Sequence, residues 1–163
     1  MTSPAELTVF TIGHGPKRFG DVAAVLARHG VGVIVDVRSD PHSSHAPDFS
    51  RDRLLHLAAE ANLGYRWLGD RLGGRPADPS LWRGDDPDWG AIARTDDFAA
   101  GITELDGLAR AGRVVIMCAE LDPARCHRTF LIAPELVQVG YSVTHILGDG
   151  SAVPHRATLF PGL

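Results

Sequence analysis

Leu7-Thr8-Val9-Phe10-Thr11-Ile12, stopped by Gly13-His14-Gly15-Pro16, and Val31-Gly32-Val33-Ile34-Val35-Asp36-Val37, stopped by Ser39-Asp40-Pro41, decide how this chain folds. Each is a short run rich in β-branched residues and closed by turn formers, the pattern of a strand buried on both faces of a parallel sheet. Between them, Phe19 to His29 sets Phe19, Val22, Val25 and Leu26 at helical spacing and closes on Gly30. Strand, helix and strand in that order form a right-handed βαβ unit.

The alternation continues downstream. A second helix is predicted over about 51–62, capped by Asp48 or Ser50, and a third over Phe98 to Ala111. A third strand is expected over Arg113 to Cys118, a fourth helix over Thr129 to Val139 and a last strand over Tyr141 to Leu147. Pro134 interrupts the fourth helix, and a regular helix beginning there instead would leave Cys126 in a loop. Segment 64–94 holds all three tryptophans and no clear period, so it reads as an irregular excursion. The expectation is one α/β domain over 1–163. It is a three-layer sandwich around a mainly parallel sheet of about four to five strands, Rossmann-like in plan.

Composition narrows the function. A chain of 163 residues, 44% hydrophobic and 22% charged, is an ordinary globular domain. No apolar run approaches the roughly 18 residues of a membrane span. The opening Met1 to Phe10 lacks the basic and apolar regions of a signal peptide, so a cytoplasmic location without membrane contact is expected. A net charge of −4 speaks against a surface built for duplex nucleic acid, whose binding rests on many phosphate neutralisations. Lys17 is the only lysine among sixteen basic residues, which a GC-rich genome explains.

In a sheet of this kind, ligands bind beyond the carboxyl ends of the strands. His14 follows the first strand, Asp36 and Arg38 end the second, and Cys118 and Glu120 follow the third. The densest chemistry is Cys118-Ala-Glu-Leu-Asp-Pro-Ala-Arg-Cys126-His127-Arg128. A thiol near free helix amides and near Arg125 or Arg128 is favoured as thiolate, and the same groups suit an anionic substrate. Seven residues between the cysteines match neither a Cys-x-x-Cys motif nor the loop of cysteine phosphatases, whose arginine stands one residue closer than Arg125 does to Cys118. The dinucleotide fingerprint fails at Arg18, where its third glycine belongs, and no nucleoside-triphosphate loop is present, so neither NAD nor ATP is expected.

The ordered set Thr11-Ile12-Gly13-His14, Val35-Asp36-Val37-Arg38-Ser39 with Pro41, Leu72-Gly73-Gly74, Cys118-Ala119-Glu120, Cys126-His127-Arg128 and His145-Ile146 resembles the domain-of-unknown-function 488 family. The resemblance runs from Phe10 to His155. It implies a compact α/β fold and a shared site made of these motifs, and it supplies no reaction.

Three functional readings follow. The first is a thiol-dependent hydrolase or transferase on a compact anionic substrate, a nucleotide or nucleic-acid fragment. In it Cys118 or Cys126 attacks, His127 or His14 is the base, and Asp36 orients it or accepts a proton. Glu120 completes the polar cluster, and Arg38, Arg128 and Ser39 hold the anion. The second is a zinc site from Cys118, Cys126 and His127, with His14 or His145 as the fourth ligand. The third is a non-catalytic nucleic-acid-binding module using Tyr65, Trp67, Trp82 and Trp89 among Arg66, Arg71, Arg75 and Arg83. Five Arg against five Asp in 64–94 favour a packed subdomain over that last surface.

Overall fold

The computed structural model describes residues 7–156. The signal-peptide expectation, which rests on Met1 to Phe10, therefore falls mostly outside the described residues. The first strand is β1 (Thr8–Gly13), then α1 (Phe19–Arg28), β2 (Val33–Asp36), α2 (Arg51–Glu60) and β3 (Gly64–Trp67). Segment 69–93 adds the one-turn α3 (Gly69–Leu72), a small antiparallel ladder of β4 (Trp82–Arg83) and β5 (Asp86–Pro87), and α4 (Trp89–Ala93). The chain then runs through α5 (Asp96–Ala111), β6 (Val114–Cys118), α6 (Ala133–Val139), β7 (Ser142–Ile146) and β8 (Ala152–Pro154).

The sheet order is β3-β2-β6-β1-β7-β8. All pairings are parallel except β7 with β8. The α/β architecture and mainly parallel sheet are as expected, and the sheet has six strands rather than four or five. β3 escaped notice because Gly-Tyr-Arg-Trp is a half-exposed edge strand with no apolar run. β8 is three exposed residues ending in Pro154, which an edge tolerates.

Strand side chains alternate between two cores. Val9, Val35, Val114, Ile116 and Cys118 pack against α5 and α6, while Phe10, Ile12, Ile34, Val115 and Met117 pack against α1 and α2. Right-handed crossovers explain the layering. The β1-α1-β2 connection leaves toward one edge of the sheet on one face, and the β6-α6-β7 connection leaves toward the other edge on the opposite face. Adjacent β2 and β6 send their chains to opposite edges at their carboxyl ends, β2 toward β3 and β6 toward β7, which opens the crevice of a topological switch point.

Local chemistry sets the helix boundaries. Thr95 caps α5 by accepting from the Phe98 amide at 3.1 Å, so that helix starts at Asp96 rather than Phe98. Asp48 does not cap α2. Its carboxylate accepts from the Phe19 amide at 3.0 Å and so serves the start of α1, while Ser50 occupies the α2 cap position without a side-chain cap bond. Residues 128–132 wind as a wide π turn leading into α6, and Pro134 falls in the first turn of α6, where its missing N–H costs nothing. Cys126 stands in extended backbone just ahead of that winding. Among the described residues, no helix is long and apolar enough to cross a membrane.

Candidate active site

The end of β2 builds a rigid wall. Asp36 is fully buried and accepts from Arg38 Nε at 2.8 Å, Arg38 Nη2 at 2.7 Å and Tyr65 Oη at 2.5 Å, which uses the lone pairs of both oxygens. Burial, then the Asp36 charge, raise the Tyr65 phenol above its usual value, so it stays a donor. Arg38 Nη1 donates to His14 Nε2 at 3.3 Å, and His14 Nδ1 donates to the Gly15 carbonyl at 2.7 Å. The His14 ring stacks on Phe49 at 4.4 Å, and burial holds it below its usual pKa, in the neutral form. Asp36, Arg38 and His14 thus brace one another.

The Leu72-Gly73-Gly74 motif exists because this wall is approached closely. A Cβ at Gly69 would stand 1.7 Å from the Arg38 carbonyl oxygen, one at Gly73 2.3 Å from Ser39 Oγ, and one at Gly74 2.8 Å from the His127 ring. Ser39 Oγ accepts from the Arg75 amide at 2.9 Å, and Arg75 lines the cleft with its guanidinium over the Trp82 ring, 5.8 Å from the centroid.

Cys118 ends β6 and Cys126 begins the segment into α6, and their sulfurs lie 2.7 Å apart. Behind them is Arg128, fully buried. Its Nη1 donates to Cys118 Sγ and, at 2.7 Å, to the Glu120 carbonyl. Nη2 donates to the Leu121 carbonyl at 3.1 Å and Nε to Thr11 Oγ1 at 3.2 Å. Thr11 in turn meets His145 Nδ1 at 2.6 Å, and His145 Nε2 meets His155 Nδ1 at 3.0 Å. Burial, then the neighbouring His155 and Arg128, lower His145 to about 4, so it is neutral at ordinary pH.

Charge balance follows from these contacts. Among the described residues no carboxylate pairs with Arg128, every other partner is neutral, and a guanidinium does not deprotonate. A buried cation without an anion is costly. The group that answers it at contact distance is the thiol pair, whose two sulfurs titrate as a unit. The hydrogen bond from Cys118 lowers the Cys126 thiol well below its usual value, against burial and with help from His127 and Arg128. The same bond, with burial, raises Cys118.

His127 completes the site. Its Nε2 donates to the Val37 carbonyl at 3.0 Å, and Nδ1, 3.6 Å from Cys126 Sγ, shares the thiol proton with that sulfur. A thiol, a base beside it and a group orienting that base form the arrangement of an activated nucleophile. Trp89 lies over the far face of the His127 ring, with centroids 6.5 Å apart.

A cleft of about 680 Å³ opens on this cluster, lined by Arg38, Ser39, Arg75, Glu120, Arg125 and both cysteines among others. A second lobe of about 570 Å³ adjoins it, with Arg83, Trp89, Arg125 and Phe130 in its wall. Cys126 lines both lobes and Cys118 only the first.

With this geometry in view, the comparison with protein families is direct. A family model described as Domain of unknown function DUF488 matches residues 17–133, well over half of the sequence. The chain belongs to the DUF488 family. No curated protein and no solved structure matches it. The matched DUF488 region carries Asp36, Arg38, Ser39, Gly73, Gly74, Cys118, Glu120, Cys126, His127 and Arg128, and it stops short of Gly13 and His14 on one side and His145 on the other.

The DUF488 fold brings every sequence-predicted site residue to the carboxyl end of the sheet, with different standing. Cys118, Cys126, His127, Glu120 and Ser39 line the cleft. Asp36 and His14 are buried in the brace. Arg38 reaches the cleft edge with its guanidinium bound to Asp36, and Arg128 lies wholly behind the sulfurs. The zinc set is not assembled. His14 and His145 are turned to the partners above, and among the described residues no three His, Cys, Asp or Glu side chains close around one point. Of the excursion tryptophans, Trp67 donates to the Arg38 carbonyl at 2.8 Å and Trp82 to the Pro76 carbonyl at 2.9 Å. Arg75 and Trp89, assigned from sequence only to a nucleic-acid surface, line the cleft beside the cysteines.

Proposed function

We propose that this protein is a thiol-dependent transferase or hydrolase acting on a compact anionic substrate, with Cys126 as nucleophile. What carries the reading is Arg128, buried without a carboxylate and answered by a thiol pair that opens on an arginine-lined cleft. His127 Nδ1 takes the Cys126 proton when the pair is protonated, and the Val37 carbonyl fixes its tautomer. Arg75 and Arg125, exposed on the cleft, hold the anion and Ser39 sets the loop that carries Arg75. Asp36, Arg38 and His14 position the wall and stay out of the bond-making steps. A nucleotide is the compact anion that best suits a cleft with Trp89 and Phe130 in its second lobe.

The test compares an anionic and a neutral alkylating agent. Relative to free cysteine, Cys126 is expected to favour iodoacetate over iodoacetamide by roughly tenfold, about 1.4 kcal/mol of attraction. Arg75→Ala together with Arg125→Ala should return the ratio toward that of free cysteine, and Cys126→Ser should remove the fast, iodoacetate-preferring labelling and leave only slow labelling of Cys118. A ratio equal to that of free cysteine in the intact protein would rule the anionic site out.

A further inference from the structure

We propose that Cys126 and Cys118 also form a reversible disulfide, with Cys126 the thiol that a small hydroperoxide oxidises and Cys118 the thiol that resolves it. The two sulfurs already lie within reach of one another, 2.7 Å apart. The loop between them is pinned at successive residues. The Ala119 carbonyl accepts from the Gly15 amide at 3.0 Å, the Glu120 and Leu121 carbonyls accept from Arg128, and Asp122 caps its own turn through the Ala124 amide at 2.9 Å. Holding the two groups together in this way replaces a search by a local step.

Access assigns the roles. Cys126 faces both lobes of the cleft, where an oxidant arrives, and Cys118 sits deeper, against Arg128. The Cys126 thiolate attacks one peroxide oxygen. The O–O bond breaks, the departing hydroxide takes the Cys118 proton as water, and Cys126 becomes a sulfenic acid, oxidised by two electrons. Cys118, now a thiolate facing the Arg128 guanidinium, attacks Cys126 Sγ. The S–S bond forms, the S–O bond breaks, and the second hydroxide leaves with a solvent proton. Two thiols and one hydrogen peroxide give one disulfide and two waters. A thiol reductant restores the pair by exchange.

The test is to treat the reduced, full-length chain with one equivalent of hydrogen peroxide and read it by denaturing mass spectrometry and alkylation. The chain should lose two hydrogens, and its alkylatable thiols should fall from two to none and return with dithiothreitol. Cys118→Ser should stop at one added oxygen on Cys126 that dimedone captures. Cys126→Ser should leave Cys118 alkylatable, with oxidation slowed at least about tenfold. Oxygen addition in place of hydrogen loss in the wild-type chain would overturn the proposal, as would oxidation of Cys126→Ser at the wild-type rate. The wild-type result needs no variant to fold. It is also independent of the substrate reading. A chain that closes the disulfide without preferring iodoacetate keeps this proposal and loses the other, and one that prefers iodoacetate without closing loses this one.

Discussion

Arg128→Met is expected to cost roughly 3–5 kcal/mol of stability, the range for stranding one half of a buried charge interaction. Methionine fills similar space, so the loss reports the guanidinium rather than a void. Four groups lose a donor at once: Thr11 Oγ1, Cys118 Sγ, and the carbonyls of Glu120 and Leu121. The negative charge of the thiol pair also loses its counter-ion, so Cys126 should rise toward the ordinary thiol value, Cys118 should rise further above it, and neutral-pH alkylation of Cys126 should slow. Denaturant unfolding and alkylation rate measure the two effects. A change within about 0.5 kcal/mol, the size of an ordinary surface substitution, would mean that Arg128 holds nothing.

Gly13→Ala is expected to be comparably severe. The new Cβ would stand 1.7 Å from the Glu120 carbonyl oxygen and 2.5 Å from its carbon, and both are backbone atoms that cannot rotate away. Gly13 pairs in register with Cys118 at the end of the sheet, so either β1 leaves β6 or the 119–122 segment moves off Arg128. A loss of at least about 3 kcal/mol belongs to the class of overpacked, strained sites. Gly107→Ala serves as the control. It lies inside α5 with nothing within 4 Å of the added carbon, and should stabilise by roughly 1 kcal/mol through helix propensity. Unfolding midpoints of the two variants moving in the same direction would contradict this account of Gly13.

Those two residues also mark how far the sequence could be read. The runs Thr8–Gly13, Val33–Asp36 and Val114–Cys118 are buried on both faces, so composition alone exposes them as strands. A parallel sheet then gathers their ends, which is why His14, Asp36 and Cys118 could be assigned to one place before any coordinates. Gly64–Trp67 stayed hidden because an edge strand needs no apolar alternation. Residue type says nothing of what a side chain has already spent its bonds on. Asp36 reads equally as a catalytic acid or as half of an ion pair with Arg38; the pair is present, and Tyr65, 29 residues away, closes the carboxylate. Arg128 reads as an anion clamp until its bond to Thr11, 117 residues away, is seen to pull it inside. Arg75 reads as one charge of a neutral excursion until its amide is found on Ser39 and its side chain in the cleft wall. Long-range contacts decide all three, and local sequence carries no trace of them.

The central claim is that the Cys118–Cys126 pair carries one negative charge at neutral pH, balanced by Arg128. Ultraviolet thiolate absorbance, followed in the reduced protein from about pH 9 down to about pH 4 and corrected with the double serine variant, reads that charge directly. The account predicts about one thiolate per chain near pH 7, persisting in acid well below the ordinary thiol value of about 8.5 because the folded-state value of Cys126 is depressed. A protein with no thiolate near pH 7, whose absorbance rises only as the pH passes about 8.5, would contradict it.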